Sequence, residues 1–316
     1  MKDIVNASDD KRVLIIGNGF DLDLGWKTRF SDFINSTYWP KNMHQGSLLS
    51  YLKGKQSVNH WFDIEKEIGI FASDPIRRGQ ALPTIRINED YFNQLVEGFK
   101  RYLIEETKKD INNDSTAAKV FRDILKNGNF SSIYSFNYTD MHDIASRLSI
   151  NIDFSYEHVH GSIKNDDIII GAPEDKELNK GYEFLYKTFN PHYQSSNLIY
   201  DLREAKEIVF FGHSLGPTDY HYFRSFFKRQ CFEDMHREDA KKITIFTYDN
   251  ASRMSIMSQL RAMNDQKTNL LVNLNDFKVI MTKTGGEADL TNFLKHLEAT
   301  STGTHSKQII RRFSIK

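Results

Sequence analysis

The sequence has few cysteines, no excess of either charge and no long apolar run, and each shortage excludes a class of protein. Cys231 is the only cysteine, so neither an internal disulfide nor a thiolate zinc site is expected, which fits a reducing cytosol. Basic and acidic residues number 42 each, so no net field favours nucleic acid or an anionic membrane. No run of about 18 apolar residues is present, so we expect a cytoplasmic protein without a membrane span.

The two ends of the chain are polar, and the region between them predicts one domain. Residues 1–11 lack the apolar segment of a signal peptide and predict a flexible N-terminus. Residues 300–316 begin rich in Ser and Thr and predict a flexible C-terminal tail. Residues 12–299 are enough to bury a large core, and we interpret them as a single α/β nucleotide-binding domain.

Short apolar runs alternate with helical spacings in the second half of the chain, which predicts right-handed βαβ units and a mostly parallel sheet flanked by helices. Residues 41–128 contain helical spacings and no strand-like run, so we expect a helical insertion there, after the first βα unit. The predicted strands are residues 12–17, 132–136, 154–159, 168–171, 208–211, 243–248 and 279–282. The predicted helices are residues 28–38, 47–52, 60–71, 88–109, 116–126, 181–205, 218–228, 251–263 and 288–298.

The first predicted strand ends in Gly17-Asn18-Gly19, where a tight turn can bring the backbone close to a ligand. A helix after this turn would offer free N–H groups and its dipole to a phosphate. The third glycine of the dinucleotide fingerprint is missing, because Leu22 stands there, and no strand-terminal acidic residue follows about 20 positions on to hold a ribose. An ordinary dehydrogenase site is therefore not expected.

Two polar residues near this turn, Asp21 and Thr28, are expected to face the ligand. For Asp21 the alternative is a capping residue of the turn. Asn137 directly follows a later strand, and its amide can orient a hydroxyl or an amide without carrying charge. Asp140 is either a ligand contact or the N-cap of the next helix.

His158 and His160 lie two positions apart on a predicted strand, so their side chains are expected to share a face. One interpretation makes His160 a general base that takes a proton from a substrate hydroxyl. The other makes both histidines metal ligands, with His213 or a carboxylate as the third. We favour His160 as the base and expect no metal.

The segment around Gly212 repeats the first design of buried strand, glycine turn and capped helix. Gly212 and Ser214 are expected to contact a second phosphate or a ribose, and the alternative is a plain βα turn. His213 and Asp219 are expected to bind the cofactor too, although Thr218 or Asp219 would also serve as the N-cap of the helix. In the insertion, Trp61 and Glu65 fall on one helical face. They either anchor the insertion to the core, which we favour, or close the site.

Together these segments resemble the AbiH family, bacterial proteins tied to abortive infection by phages. The resemblance covers roughly residues 13–225 in family order. It rests on Ile15-Ile-Gly-Asn-Gly-Phe-Asp-Leu22 with Gly25, Thr28 and Phe33, on Trp61-Phe-Asp-Ile-Glu65, on Ser135-Phe-Asn-Tyr-Thr139, on His158-Val-His-Gly161, and on Phe211-Gly-His-Ser-Leu215 with Asp219.

The order of Gly17, Gly19, Asn137 and His160-Gly161 is also similar to that in sirtuin-type NAD-binding domains. This likeness implies a Rossmann-like, sirtuin-like fold and NAD as the ligand. One cysteine cannot build the zinc module of the deacetylases, so the likeness implies relatives that hydrolyse NAD to nicotinamide and ADP-ribose. In such an enzyme the glycine turn would hold the pyrophosphate, Asn137 would orient the nicotinamide ribose or the water, and His160 would be the base.

Toxic loss of NAD needs control, so we expect a quiet resting state that is relieved by a phage-derived or partner-protein trigger, or by assembly into a homo-oligomer. Two alternatives to hydrolysis of NAD stay open. The same crevice could sense a nucleotide without cleaving it, or the histidines could hold a cation in a metal-dependent hydrolase or nuclease.

Overall fold

The computed structural model describes residues 11–56 and 63–313, with side chains described as far as residue 300. Its strands are β1 (Arg12–Ile16), β2 (Ser132–Ser135), β3 (Glu157–His158), β4 (Glu207–Phe211), β5 (Lys242–Thr247) and β6 (Asp276–Met281). Its helices are α1 (Gly19–Asp23), α2 (Phe30–Ile34), α3 (Leu48–Gln56), α4 (Ile64–Ser73), α5 (Leu82–Glu106), α6 (Thr116–Asn127), α7 (Met141–Arg147), α8 (Leu198–Glu204), α9 (Tyr220–Arg229), α10 (Asn250–Met263), α11 (Thr268–Leu274) and α12 (Glu287–Phe313).

The six strands form one parallel sheet in the order β3-β2-β1-β4-β5-β6. The direction of winding reverses between β1 and β4, and ligands of open α/β folds bind beyond the carboxyl ends of the strands at such a point. Ile16 at the end of β1 is in register with Ser135 of β2 and Phe211 of β4. The predicted α/β, Rossmann-like fold is confirmed, and the turns after three central strands lie side by side.

Each face of the sheet carries its own apolar layer, because alternate residues of a strand point to opposite sides. Leu14 and Ile16 face α1, α6, α7 and α12, whereas Val13 and Ile15 face α8, α9, α10 and α11. Strands β1, β4 and β5 are covered on both sides, which explains why their apolar runs are continuous rather than alternating.

A third apolar core lies in the insertion between β1 and β2. Helices α2, α3, α4 and α5 contribute to it, and so does a later segment with Ile168, Ile170 and Tyr182. Helix α6 belongs instead to the layer on the sheet. The insertion is therefore held by a piece of chain that follows β3, and this brings that piece beside α4.

Three predictions of local structure are wrong. Residues 168–171 are buried but pair with no strand, and only Ala172 forms an isolated bridge, to Tyr186. The strand predicted at 154–159 is reduced to the two residues of β3. The helix predicted at 181–205 is two short 3₁₀ turns, Glu183–Leu185 and Lys187–Phe189, followed by α8.

Three further features differ from the sequence-based expectations or fall beyond them. Helix α11 is an element that was not predicted. The last helix continues to Phe313, into the predicted tail. Trp61 and residues 1–10 lie outside the described residues. Within the described ranges, no helix combines the length and apolar character needed to cross a bilayer.

Candidate active site

A cavity of about 330 Å³ opens at the carboxyl ends of β1, β2 and β4, where the winding of the sheet reverses. Its size is at the lower end of the range for small-molecule sites. Of the residues predicted to form a site, the structure brings these together in the lining: Gly17, Asn18, Gly19, Asp21, Thr28, Asn137, His160, Gly212, His213, Ser214 and Asp219.

Asp140 does not belong to this lining. It caps α7, because its Oδ1 accepts a hydrogen bond of 2.9 Å from the N–H of His142, and it also accepts one from the Tyr156 hydroxyl. Lys164 contacts its other oxygen at 2.7 Å. Burial raises the pKa of Asp140, but the hydrogen bonds from Lys164 and Tyr156 outweigh it and lower the pKa. The capping interpretation is the one that the structure shows.

The two glycine turns contact each other directly. The N–H groups of Gly17 and Gly19 donate to the carbonyl oxygens of Phe211 and Gly212, at 2.9 and 2.8 Å. A Cβ on Gly17 would stand 2.5 Å from the His213 Cα, and one on Gly19 would stand 2.7 Å from the Gly212 Cα. These amides are therefore not free for a phosphate, and the missing side chains serve the contact between the turns.

Beside the first turn, Asn18 and Asp21 each accept hydrogen bonds from polar neighbours. The hydroxyl of Thr28 donates to Asn18 Oδ1 at 2.5 Å. Asp21 is 1% exposed and accepts from Asn137 Nδ2 at 2.8 Å and from Thr139 Oγ1 at 3.0 Å. Burial raises the pKa of Asp21 to about 7, even though these hydrogen bonds act in the opposite direction. Both donors are neutral, so we call Asp21, Asn137 and Thr139 the neutral cluster.

The side chain of Asn137 is fixed by its amide nitrogen, which donates to Asp21 and also to the Gly17 carbonyl at 3.1 Å. Its Oδ1 is buried and has no hydrogen-bond partner among the described residues. Asn137 is 4% exposed and lines the cavity. The amide oxygen is therefore oriented and free to accept a hydrogen bond from a ligand.

A second set of buried groups surrounds Lys187, which is 3% exposed. Its Nζ lies 2.8 Å from Glu65 Oε2, 3.3 Å from His160 Nε2 and 3.7 Å from Asp219 Oδ1. Burial lowers the pKa of Lys187, but the charges of Glu65 and Asp219 outweigh it and raise the pKa. We call these four residues the lysine cluster.

The pKa values of the groups around Lys187 are shifted in different directions. Burial raises the pKa of Glu65 to about 7. Burial acts the same way on Asp219, but Lys187 and His213 outweigh it and lower its pKa, so Asp219 stays ionised. Burial and the charge of Lys187 lower the pKa of His160 to about 3. Because a lysine ammonium only donates, Nε2 of this neutral His160 is the acceptor.

The other two histidines have different surroundings. The Nδ1 of His213 accepts from the Leu215 N–H at 3.0 Å, so its Nε2 carries the proton and faces Asp219 Oδ2 at 3.5 Å. His158 Nδ1 lies 2.9 Å from the Asn137 carbonyl oxygen, and His158 does not line the cavity. The expected His158–His160 pair is thus divided between two environments. In the described part of the chain, no three His, Cys, Asp or Glu side chains are grouped as metal ligands.

Sequence reasoning missed several residues of the lining. It treated Glu65 mainly as an anchor. It also did not name Lys187, which lies outside the lining but contacts Glu65 and His160, and which comes from a 3₁₀ turn without any motif. Tyr248 and Ser252 follow β5 and line the same cavity. The rule that polar residues after parallel strands face the crevice could have found these two.

Comparison with known proteins places the chain in a family. No curated protein matches it significantly. The family model described as bacteriophage abortive infection AbiH matches residues 13–237, which is more than half of the sequence. This span includes both glycine turns, the neutral cluster and the lysine cluster. The chain therefore belongs to the AbiH family of bacteriophage abortive-infection proteins.

Proposed function

We propose that this protein serves abortive infection by hydrolysing NAD to nicotinamide and ADP-ribose once it is triggered. The role in anti-phage abortive infection follows from the family. The observation that carries the proposed reaction is that Asn137 and His160, from the ends of neighbouring strands, line one cavity at the point where the sheet reverses its winding. This is where α/β folds of this strand order bind dinucleotides.

The reaction breaks the bond between the nicotinamide nitrogen and C1 of the ribose, and water forms the new bond to C1. Positive charge develops on the ribose in the transition state, so placement and charge stabilisation supply most of the rate. Asn137 Oδ1 is fixed and unpartnered, which suits it to hold the attacking water or a ribose hydroxyl. The ionised Asp219 and the Glu65 carboxyl line the same cavity and favour the developing cation.

His160 takes the proton of the attacking water in this proposal. Its pKa of about 3 makes it a weak base towards free water. A water molecule that has bonded to a cationic C1 is a strong acid, so a weak base is sufficient once that bond has formed. His160 is neutral throughout the physiological range, but its one acceptor, Nε2, bonds the Lys187 ammonium at 3.3 Å. In this proposal Lys187 gives up that bond and keeps its shorter contact of 2.8 Å to Glu65 when His160 takes the proton.

The test is to incubate the purified protein with NAD, with and without extract of phage-infected cells, and to measure nicotinamide and ADP-ribose by chromatography. We expect wild type to release both and Asn137→Ala and His160→Ala to lose at least about 100-fold, the scale of one acid–base or oriented polar group. His142→Ala, which changes an exposed histidine away from the cavity, is the matched control. The same low release from wild type and both variants under every condition tried would contradict the proposal.

Binding without cleavage is the second candidate function, and the low pKa of His160 is the observation that favours it. A nucleotide sensor with this cavity would bind NAD and ADP-ribose and release no nicotinamide under any condition. Calorimetric titration beside the same chromatographic assay separates the two functions.

A further inference from the structure

Three buried oxygen atoms in the cavity lining have no hydrogen-bond partner among the described residues. They are Oε1 of Glu65, Oδ1 of Asp219 and Oδ1 of Asn137. The three residues are 7%, 9% and 4% exposed. Buried polar atoms are nearly always paired in folded proteins, and leaving one unpaired costs about 1–3 kcal/mol. The inner end of the cavity is therefore rich in acceptors and suits a ligand that brings donors.

Glu65 and Asp219 belong together in this respect, because both carboxylates flank the same ammonium. Glu65 Oε2 lies 2.8 Å from Lys187 Nζ, and Asp219 Oδ1 lies 3.7 Å from it. Lys187 therefore fixes one oxygen of Glu65 and leaves the other free. On Asp219, His213 faces Oδ2 at 3.5 Å, whereas Oδ1 lies 3.5 Å from His160 Nε2 and 3.7 Å from Lys187 Nζ and has no hydrogen bond to either.

Neutral donors suit these acceptors, because the ammonium of Lys187 already balances the ionised Asp219, and Glu65, whose pKa is raised to about 7, is only partly ionised at neutral pH. Lys187 already supplies one positive charge between the two carboxylates, and it is itself buried. A ligand ammonium would be a second buried charge next to the first. Two hydroxyl groups fixed on neighbouring carbons of a ring, as in ribose, offer two donors at short spacing without a charge.

This fold lacks the acidic residue that ordinarily binds a ribose at the end of the second strand of a dinucleotide site. In dinucleotide-binding folds an acidic residue about 20 positions after the glycine turn, at the end of the second strand, accepts from the ribose. Here β2 comes only after the insertion, and the residues that line the cavity beyond it, 136–139, are all uncharged and include Asn137. Carboxylates are instead supplied by α4 of the insertion and by the turn after β4.

We propose that Glu65 and Asp219 form a ribose subsite, in which Glu65 Oε1 and Asp219 Oδ1 accept hydrogen bonds from the two ring hydroxyls of a nucleoside. This inference deepens the proposed function and rests on it for the choice of NAD, whose nicotinamide-side ribose it assigns to the subsite. Asn137 Oδ1 then holds the water, and Lys187 is a positioning residue that orients Glu65. The subsite joins the insertion to the sheet through the ligand.

The experiment measures binding separately from turnover. Wild type, Glu65→Gln and the control Glu67→Gln are titrated calorimetrically with ADP-ribose, which lacks the nicotinamide bond. Glu67 is also buried on α4, but it bonds the Tyr51 hydroxyl at 2.8 Å and does not line the cavity. We expect Glu65→Gln to weaken binding at least about tenfold, the scale of one hydrogen bond to a charged group, and Glu67→Gln to change it less than about twofold.

Two further titrations show which ribose of the dinucleotide binds at the subsite. A third, with a deoxy ligand, tests the subsite in the wild-type protein. Nicotinamide mononucleotide carries only the nicotinamide-side ribose, and AMP carries only the adenosine ribose. We expect Glu65→Gln to weaken the former and not the latter; the reverse result would keep the ribose subsite and assign it to the adenosine side. With wild type, the 2′-deoxy analogue of the affected nucleotide should bind at least about tenfold more weakly.

The outcomes separate the subsite from the proposed function. Equal affinity of wild type for the ribose and deoxyribose ligands, equal affinity of Glu65→Gln and wild type, or no binding of ADP-ribose would overturn the subsite. Glu65-dependent binding with no release of nicotinamide would support the subsite and contradict hydrolysis of NAD. If wild type and Glu65→Gln released nicotinamide equally, hydrolysis of NAD would be supported and the subsite contradicted.

Discussion

The walls of the cavity contain two clusters of buried carboxyl groups, and the two clusters are stabilised in different ways. In the neutral cluster, Asp21 has an amide and a hydroxyl as donors and no cationic partner among the described side chains, and its pKa is raised to about 7. In the lysine cluster, Glu65 and Asp219 share the ammonium of Lys187, and Asp219 stays ionised. Burial is similar in both, and Glu65 also has its pKa raised to about 7 although it lies 2.8 Å from the ammonium. The difference therefore concerns Asp219, which Lys187 and the hydrogen bond from His213 keep ionised.

The two clusters also differ in where their members come from. Asp21, Asn137 and Thr139 follow β1 and β2, which are neighbours in the sheet. The lysine cluster gathers Glu65 from the insertion, Lys187 from a 3₁₀ turn after β3 and Asp219 from the turn after β4. A hydrogen-bonded carboxyl can be accommodated locally, whereas an ionised buried one requires a cation brought from elsewhere in the chain.

Removal of the ammonium should have the largest effect. In Lys187→Met, Glu65 and Asp219 lose their shared cation, and we expect the free energy of unfolding to fall by about 3–5 kcal/mol at pH 8. Urea denaturation measures this loss. Addition of Glu65→Gln to Lys187→Met should recover part of it, because one uncompensated carboxylate is then removed. A loss below about 1 kcal/mol, or no recovery in the double variant, would show that the ammonium does not stabilise this cluster.

Truncation of Asn137 should cost less. In Asn137→Ala, Asp21 and the Gly17 carbonyl both lose a donor, which predicts a loss of about 1–3 kcal/mol in the free energy of unfolding. Thr139→Val removes only one hydroxyl from Asp21 and should cost about 1 kcal/mol. Urea denaturation at pH 7 compares the two. If Thr139→Val cost more than Asn137→Ala, the amide would not be the main donor of the neutral cluster.

A third effect appears in the pH dependence of stability and is small at each step of pH. The pKa of Asp21 is raised from 3.8 to about 7, so the folded state holds this proton more tightly than the unfolded chain. Its contribution to stability is full below about pH 4 and is lost as the pH rises through 7. The side chain of the Asp21→Asn variant cannot titrate, so wild type should lose stability relative to that variant over this window, by at most about 1.4 kcal/mol per pH unit.

This pH effect is measured as the difference between the urea denaturation curves of wild type and Asp21→Asn from pH 4 to 8. His160 acts in the opposite direction, because its pKa is lowered to about 3 and its contribution grows as the pH rises. His160 is common to both proteins and cancels in the difference. A difference that stays constant across the window would contradict the raised pKa of Asp21.

The central strands could be predicted from the sequence because each is buried on both faces and therefore apolar without a break. The runs chosen for β1, β4 and β5 agree with the structure to within one residue at each end. The equally apolar run 168–171 misled the prediction, since its residues are buried in the core of the insertion without a strand partner. An apolar run reports burial, and it does not report whether a neighbouring backbone is available for pairing.

The candidate site could be predicted in part for a related reason. Asn137, His160 and Asp219 follow strands, and the carboxyl ends of parallel strands meet at one edge of a sheet. Lys187 gave no signal, because a single lysine between Tyr186 and Thr188 looks like any exposed loop residue. Its burial depends on three carboxylate and imidazole partners from distant parts of the chain, which no local pattern contains.

The two glycine turns, after β1 and after β4, form the part of the cavity lining in which backbone contacts backbone directly. A Cβ on Gly212 would lie 2.4 Å from the Phe20 nitrogen, so the backbones after β1 and β4 meet without any side chain between them. Two backbones in such contact, joined by the hydrogen bonds of Gly17 and Gly19, have no room to slide and move as one rigid floor. We therefore expect any adjustment of the cavity to a ligand to occur on the side of the insertion, where α4 contributes Glu65 to the lining.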